Sequence, residues 1–291
     1  MKNTHTNPRN KRRHAPQHAK PQGKPTSSPP PPPPQDKAES RPGSGTVLIW
    51  GQHAVSAAWL NPRRKCHRLW ASKAGWDNLA PAAAEAQDAL LKRPAPKICE
   101  PREIDRLTPQ GSVHQGLLLE TSPLPDTALH DILQREPPAT LVLVLDHVTD
   151  PHNAGAILRS AAALGADAIV MTERNAPSAT GVLAKSASGA LEHIPQIHVV
   201  NIARALDALR EEGFWIVGLA EEGEKKLQDL DLKGKIALVL GAEGDGLRHL
   251  TKQKCDFLAH LPTQGPIGSL NVSNAAAIAL YETRRQQINK S

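Results

Sequence analysis

The sequence predicts an α/β protein with two folded units behind a disordered tail, and three observations support this. Strand-like apolar runs alternate with helical patterns throughout residues 139–291, which favours a mostly parallel sheet flanked by helices. A shorter alternation over residues 45–121 predicts a small α/β unit of its own. Residues 1–44 contain no Leu, Ile, Val or aromatic residue, so they cannot form a core.

The predicted tail is basic and rich in proline. It holds nine Lys and Arg residues against two acidic ones, and the run Pro29 to Pro34 favours an extended polyproline II spacer. The tail could be an arm that attracts phosphates, or a solubilising segment with no dedicated role. A mitochondrial presequence is a third interpretation, but the prolines would break its amphipathic helix. Residues 126–291 hold sixteen basic and twenty acidic residues, so the net charge of +6 does not identify the folded part as a nucleic-acid binder.

The small unit over residues 45–121 is predicted to mix short strands and helices. Strands are expected over 47–50, 66–71, from Ile98 and over 113–120, and helices over 51–60, 83–93 and 104–107. Arg63, Arg64 and Lys65 precede the strand that carries Trp70, and basic residues among aromatics are typical of RNA-binding surfaces. We predict that the three cations form a solvated, RNA-facing edge and that Trp70 belongs to the core.

A proline-bounded linker over residues 122–138, with a short helix over 127–134, leads to the larger unit. That unit opens with Leu141 to Leu145, a continuous apolar strand typical of a sheet covered on both faces. Further strands are predicted over 168–171, 197–200, 214–219, 236–240 and 257–261, and helices over 153–164, 179–187, 202–212, 246–253 and 272–286.

Polar residues are dense where the first strand of this unit ends, which is where open α/β sheets bind ligands. Asn153 is expected to cap the following helix. Arg159 lies on that helix among Ala and Leu residues, where burial would be costly unless the guanidinium were paired. The alternative is an Arg at the helix edge that extends to solvent.

Two more strands also run into polar loops. The first loop, Gly241 to Gly246, is rich in glycine, and Glu243 within it would repel phosphates, so a cationic or neutral ligand is expected. The alternative is a common tight turn between a strand and a helix. The second loop holds Ser269, Asn271 and Ser273, and helix capping would explain one of these residues but not three.

Three motifs occur in these loops, in this order along the chain. They are N-x-G-x-x-x-R from Asn153 to Arg159, G-x-E-G-x-G from Gly241 to Gly246, and L-P-x-x-G-x-x-x-S-L-N-V-S from Leu261 to Ser273. Together they resemble the motifs of the SpoU/TrmH-type RNA ribose methyltransferases, a branch of the SPOUT superfamily. The segments from Trp50 to Val55 and from His114 to Gly116 resemble the ribosomal-protein-like RNA-binding domain of the subgroup that methylates 23S rRNA.

The resemblance implies a SPOUT domain over residues 139–291 with a trefoil knot, a homodimer formed through this domain, and S-adenosylmethionine as the cofactor. It implies that Gly241, Glu243, Leu261 and Leu270 bind the cofactor, with Glu243 on the side of the cationic sulfonium. It implies that Asn153, Arg159, Ser269 and Asn271 gather at the ribose of the substrate, with Arg159 as the base. Because a guanidinium is effectively always protonated, a clamp on the adjacent phosphate is the alternative role for Arg159. The implied reaction is transfer of a methyl group to the 2′-hydroxyl of a guanosine in 23S rRNA, free or in an assembling large subunit.

Other functions stay open at this point. The same chemistry could act on tRNA, although tRNA enzymes of this family usually lack the N-terminal domain. A non-catalytic RNA-binding assembly factor is a second alternative, and a nicotinamide-dependent dehydrogenase is disfavoured because G-x-G-x-x-G is missing. Three scattered cysteines predict neither a disulfide framework nor a metal site. With no signal peptide and no apolar run near the roughly 18 residues of a membrane helix, a cytoplasmic protein is expected.

Overall fold

The computed structural model describes residues 45–135, 140–174, 181–266 and 268–288. The prediction of a disordered tail over residues 1–44 lies outside the described residues, as does the end of the predicted linker. No helix within the described ranges has both the length and the apolar character needed to cross a membrane.

Residues 45–121 form a four-stranded sheet with three helices. The elements are β1 (Val47–Trp50), α1 (Gln52–Leu60), β2 (Cys66–Ala71), α2 (Lys73–Asp88), β3 (Pro96–Ile98), α3 (Pro101–Leu107) and β4 (Leu117–Thr121). The strand order is β1-β4-β2-β3, in which β4 pairs antiparallel with β1 and β2, and β3 pairs parallel with β2. The predicted α/β character of this region is confirmed.

Several elements of this region differ in their bounds from the prediction; α3 begins at Pro101 rather than at residue 104, and β4 begins at Leu117 rather than at residue 113. Helix α2 begins at Lys73 rather than at residue 83, because the side chain of Ser72 accepts a hydrogen bond from the Gly75 N–H and caps it. Pro81 stands inside this helix, although proline usually marks a helix boundary in a sequence. Strand β3 ends at Ile98 instead of beginning there.

The remaining elements build a seven-stranded sheet. They are α4 (Leu129–Leu133), β5 (Leu141–Leu145), α5 (Pro151–Ala163), β6 (Ala168–Thr172), α6 (Gly181–Ala187), a 3-10 turn (Ala190–Glu192), β7 (Gln196–Val199), α7 (Ile202–Glu211), β8 (Trp215–Leu219), β9 (Lys225–Lys226), a second 3-10 turn (Leu227–Asp229), β10 (Ile236–Leu240), α8 (His249–Gln253), β11 (Phe257–His260) and α9 (Val272–Ile288). The order is β7-β6-β5-β10-β8-β11-β9, and neighbouring strands are parallel. The predicted parallel sheet is confirmed.

Strand β5 is buried on both faces, as its unbroken apolar sequence predicts. Leu141, Leu143 and Leu145 pack in the cluster that contains residues of α5 and α9, whereas Val142 and Val144 pack in the cluster that contains residues of α7. Because the sheet is covered on both sides, the polar loops that follow β5, β10 and β11 emerge together at its carboxyl edge. This edge is where a ligand crevice is expected in an open parallel sheet.

Candidate active site

One side chain from each of the three motif loops joins a directed chain of hydrogen bonds. Asn271 Nδ2 donates to Asn153 Oδ1 at 3.0 Å, and Asn153 Nδ2 donates to Glu243 Oε2 at 2.8 Å. These residues are separated by 118 and 90 positions in the sequence. The sheet topology therefore brings all three motifs to one point, and the amide of Asn153 connects the other two.

Ser273 fixes the orientation of Asn271. Both its backbone N–H and its hydroxyl donate to Asn271 Oδ1, at 2.9 and 2.6 Å. The acceptor side of the Asn271 amide is thus occupied, and its donor side must face Asn153. Asn271 both caps the start of α9 and contacts the first loop, which explains why this helix start has more polar residues than a cap needs. The motif pattern flagged Ser273 but did not assign it to the site.

Helix α5 begins earlier than the sequence pattern predicts. Asp150 is the N-cap, and its carboxylate accepts from the backbone N–H groups of His152 and Asn153 at 3.1 and 3.2 Å. The prediction that Asn153 is the cap is therefore wrong. Because Asp150 satisfies the helix end, the side chain of Asn153 is available for Glu243 and Asn271.

Arg159 lies on α5 six residues after Asn153, about 9 Å further along the helix axis. Its side chain is exposed, and within the described ranges it makes no hydrogen bond or ion pair. The cost of burying an unpaired guanidinium is avoided by exposure, as the alternative interpretation stated. The structure thus joins Asn153, Glu243 and Asn271, and leaves Arg159 as a separate cation on the same helix.

The glycine-rich loop folds back on itself. Ala242 N–H donates to Gly246 O at 3.1 Å, and Gly246 N–H donates to Ala242 O at 3.0 Å. A Cβ atom on Gly241 would lie 2.1 Å from the Gly246 carbonyl carbon, closer than real Cβ atoms approach backbone. Glycine at 241 is therefore required by the close approach of the two ends of the loop.

A buried carboxylate holds the end of this loop. Asp146, at the end of β5, is fully buried and accepts from Arg248 Nε at 2.7 Å, from Arg248 Nη2 at 2.6 Å and from the Arg248 N–H at 3.2 Å. Burial acts to raise the pKa of Asp146, but hydrogen bonds from Arg248 and Thr251 outweigh it and hold the pKa below its usual value. This pair could not be predicted from the sequence, because its only local signal is a carboxylate directly after a buried strand.

Two adjoining cavities open beside these loops. The larger, of about 900 Å³, is lined by all four residues predicted to bind the cofactor, Gly241, Glu243, Leu261 and Leu270, and also by Ser269 and Asn271. The smaller, of about 340 Å³, is lined by Asn153, His147 to Asp150, and residues of the glycine-rich loop. Glu243 lines both cavities. Their combined size and mixed lining fit a ligand pocket for two small groups.

The three cations predicted to face RNA differ in their exposure to solvent. Arg63 and Lys65 are exposed, but Arg64 is only 5% exposed, so the prediction that Arg64 faces RNA is wrong. Its guanidinium pairs with the buried carboxylate of Glu192, 128 residues away in the sequence, and such a partner could not be foreseen from local pattern. Trp70 is buried, as predicted, with the Arg68 guanidinium 4.8 Å from its ring centroid.

No group of three or more His, Cys, Asp or Glu side chains among the described residues is arranged to hold a metal ion.

Comparison with known proteins assigns the chain to a family. Residues 140–281 match the model of the SpoU rRNA Methylase family, and residues 48–127 match the model described as RNA 2′-O ribose methyltransferase substrate binding. The 23S rRNA (guanosine-2′-O-)-methyltransferase RlmB of Pseudomonas aeruginosa is 40% identical over 242 residues, covering 82% of this chain and 96% of that protein. The RlmB of Coxiella burnetii is 41% identical over 242 residues, covering 82% and 95%.

A solved structure shows the same fold. The crystal structure of the SpoU methyltransferase AviRb from Streptomyces viridochromogenes, in complex with the cofactor AdoMet, superposes with a TM-score of 0.70 at 26% identity. The match covers 85% of this chain and 92% of AviRb. Because the two family models match consecutive parts of the chain, and relatives of about 40% identity cover 82% of it, the chain belongs to the SpoU rRNA methylase family.

Proposed function

We propose that this protein transfers a methyl group from S-adenosylmethionine to the ribose 2′-hydroxyl of a guanosine in 23S rRNA. The observation that carries the proposal is the hydrogen-bonded chain Asn271–Asn153–Glu243, which joins the three motif loops beside two adjoining cavities. The names of the P. aeruginosa and C. burnetii relatives supply the substrate class.

The larger cavity fits S-adenosylmethionine. Gly241, Leu261 and Leu270 offer it backbone and apolar surface, and the Glu243 carboxylate provides negative charge toward the cationic sulfonium. The cofactor, when bound, supplies an electrophilic methyl carbon. The Asn153 amide holds Glu243 in place, so this chain fixes the charge before the cofactor enters.

The smaller cavity, at Asn153, suits the ribose of the acceptor nucleotide, and Ser269 and Asn271 line the adjoining larger cavity. Holding the 2′-hydroxyl in line with the methyl carbon supplies much of the rate acceleration. The hydroxyl must also lose its proton, which passes to solvent water. The family resemblance gives Arg159 the role of base, but a guanidinium stays protonated in proteins. Arg159 therefore acts as a clamp on the adjacent phosphate and stabilises the developing alkoxide.

Residues 45–121 would bind the RNA substrate through an edge that includes Arg63 and Lys65, with residues 122–138 as the linker and residues 139–291 as the methyltransferase domain. The proposed partner is 23S rRNA, free or in an assembling large subunit in the cytoplasm. We also propose a homodimer through the methyltransferase domain, supported by the exposed apolar side chains of Ile278, Tyr281 and Ile288 along α9.

The test is transfer of a labelled methyl group from S-adenosylmethionine to unmodified 23S rRNA and, separately, to unmodified tRNA. The modified position is mapped by its resistance to alkaline cleavage. Label on one guanosine of 23S rRNA is expected. Label on tRNA alone would keep the chemistry and overturn the substrate, and label on neither RNA would favour a non-catalytic RNA-binding factor if assembling particles also stayed unlabelled.

A further inference from the structure

The four-stranded unit packs closely on the seven-stranded unit. Strand β1 and helix α1 contact α6 and the 3-10 turn Ala190–Glu192. A Cβ atom on Gly181, the first residue of α6, would lie 1.7 Å from the ring of Trp50, so the helix backbone rests directly on that ring. Lys185 Nζ, also on α6, donates to Gln115 Oε1 at 2.9 Å. The two units therefore share a closely packed interface, called the seam below, in addition to their covalent linker.

A buried ion pair crosses this seam. Arg64 Nη2 donates to Glu192 Oε1 at 2.5 Å, and Arg64 Nε donates to Glu192 Oε2 at 3.2 Å, so two of the three guanidinium nitrogens face the two oxygens of the carboxylate. The two side chains are 5% and 2% exposed. Asn61 Nδ2 adds a third donor to Glu192 Oε2 at 2.7 Å. The carboxylate thus accepts three hydrogen bonds, all from residues of the other unit.

The third guanidinium nitrogen of Arg64, Nη1, donates to Ser122 O at 3.0 Å, at the point where the chain leaves the small unit. One guanidinium therefore connects the exit from β4 to the turn that carries Glu192. A buried ion pair contributes little net stability compared with apolar packing, but it strongly penalises any arrangement that separates its partners. The pair thus acts on the relative orientation of the two units more than on stability.

The turn that carries Glu192 is coupled to the helix that carries Asn153. Helix α6 and the 3-10 turn both pack on α5. Ser186 Oγ, on α6, lies 3.3 Å from Nδ1 of His152, the residue that precedes Asn153 in the sequence. On the other side, the neighbours of Arg64 are the exposed cations Arg63 and Lys65. The ion pair therefore lies between the proposed RNA-binding edge and the proposed catalytic loops.

We propose that Arg64 and Glu192 are positioning residues, which lock the RNA-binding unit in one orientation on the methyltransferase unit. The lock fixes the separation between the RNA contacts at Arg63 and Lys65 and the reacting ribose at Asn153, and so selects which nucleotide of a bound rRNA reaches the site. The inference rests on the proposed function, which it deepens.

The test compares wild type, Glu192→Gln, Arg64→Met and the double variant on two RNAs. One is the 23S rRNA segment that carries the mapped nucleotide in its native surroundings, and the other is a minimal stem–loop with that nucleotide alone. Asp256→Asn, which weakens the Arg210–Asp256 pair inside the methyltransferase unit, is the matched control. Arg64→Lys keeps the charge but loses the two-pronged geometry, and serves if the other variants fold poorly.

For each single variant we expect kcat/KM on the rRNA segment to fall about tenfold, through a higher KM, which corresponds to about 1.4 kcal/mol. Activity on the stem–loop and affinity for S-adenosylmethionine should stay within about twofold of wild type. Because the two residues act as a unit, the double variant should lose no more than the worse single variant.

Unchanged kcat/KM on the rRNA segment would overturn the proposal, and so would an equal loss on both RNAs, which indicates general damage. Wild type that methylates neither RNA contradicts the proposed function instead. The fixed orientation of the two units is then tested separately by small-angle X-ray scattering. The radius of gyration must increase relative to wild type in the double variant but not in Asp256→Asn. An unchanged radius refutes the lock independently of the RNA.

Discussion

At the scale of single residues, Asn153 connects the whole site. An amide presents a donor and an acceptor on one rigid plane, so Asn153 can accept from Asn271 and donate to Glu243 at once. Neither a carboxylate nor an aliphatic side chain of similar size could do both. This explains chemically why the first motif has an amide here.

Arg159 is the residue whose replacement should affect methyl transfer most. Arg159→Ala should abolish transfer to RNA, because the only cation that the first motif contributes is lost, while binding of S-adenosylmethionine should persist. Arg159→Lys keeps the charge without the planar fork and should recover a small part of the rate. The measurement is single-turnover transfer alongside calorimetric cofactor binding, and near-full activity of the lysine variant would contradict the two-pronged phosphate clamp.

Asp146 should make the free energy of unfolding decrease at low pH. Its pKa is lowered in the folded state, so its stabilising effect is present above the ordinary value of 3.8 and is lost as the pH falls through the lower folded pKa. Asp146→Asn should lower the free energy of unfolding at neutral pH by about 1–3 kcal/mol, because Arg248 is 49% exposed and can be rehydrated.

The check on Asp146 is denaturant unfolding of wild type and Asp146→Asn at a series of pH values. The two curves should converge toward acid pH. Since Arg248 follows the glycine-rich loop, the variant should also bind S-adenosylmethionine more weakly at neutral pH. A stability difference that is independent of pH would show that the charge of Asp146 is not what holds the loop.

At the scale of elements, the glycine-rich loop depends on its own close approach. Gly241→Ala should push the loop open by forcing a Cβ into the Gly246 carbonyl, and so reduce affinity for S-adenosylmethionine at least about tenfold, the effect of about 1.4 kcal/mol. Gly234→Ala is the control, since nothing lies within 4 Å of the added atom. Equal affinities for the two variants would contradict the role given to this turn.

Elements with a strong apolar pattern could be predicted, and element ends could not. Leu141 to Leu145 is an unbroken apolar run, and the buried strand was found where predicted. The starts of α2 and α5 were misplaced because side-chain caps set them, and the sequence offers several candidate caps for each. Asp150 and Asn153 are both good caps, and only the folded chain shows that Asp150 takes the role.

At the scale of the whole molecule, positive charge must act locally to bind RNA, since residues 126–291 are net acidic. The double variant Arg63→Ala/Lys65→Ala should raise the KM for 23S rRNA and leave kcat unchanged. If both cations contact phosphates, the slope of log affinity against log salt should become less steep by about 1.5. Lys233→Ala, an exposed cation of the other unit, is the control, and equal slopes for all proteins would contradict an RNA-binding edge here.

Long-range pairing limited what the sequence could predict about the site. The family resemblance implied that Asn153 and Asn271 meet at the ribose and that Glu243 lies at the cofactor, and the structure joins the three side chains by hydrogen bonds. Arg64 was misassigned because its partner Glu192 is remote in the sequence and has no local signal. Asp146 and Arg248 were missed for the same reason. The trefoil knot implied by the resemblance stays a prediction.

If this site methylates a guanosine ribose, the modified nucleoside can be identified chemically. 23S rRNA labelled by the protein with S-adenosylmethionine is digested to nucleosides and analysed by mass spectrometry, with Asn153→Ala as the site control. We expect 2′-O-methylguanosine from wild type and at least about a hundredfold less from the variant, which is the effect of losing one positioned hydrogen-bond donor. A methyl group on a base, or equal product from both proteins, would contradict it.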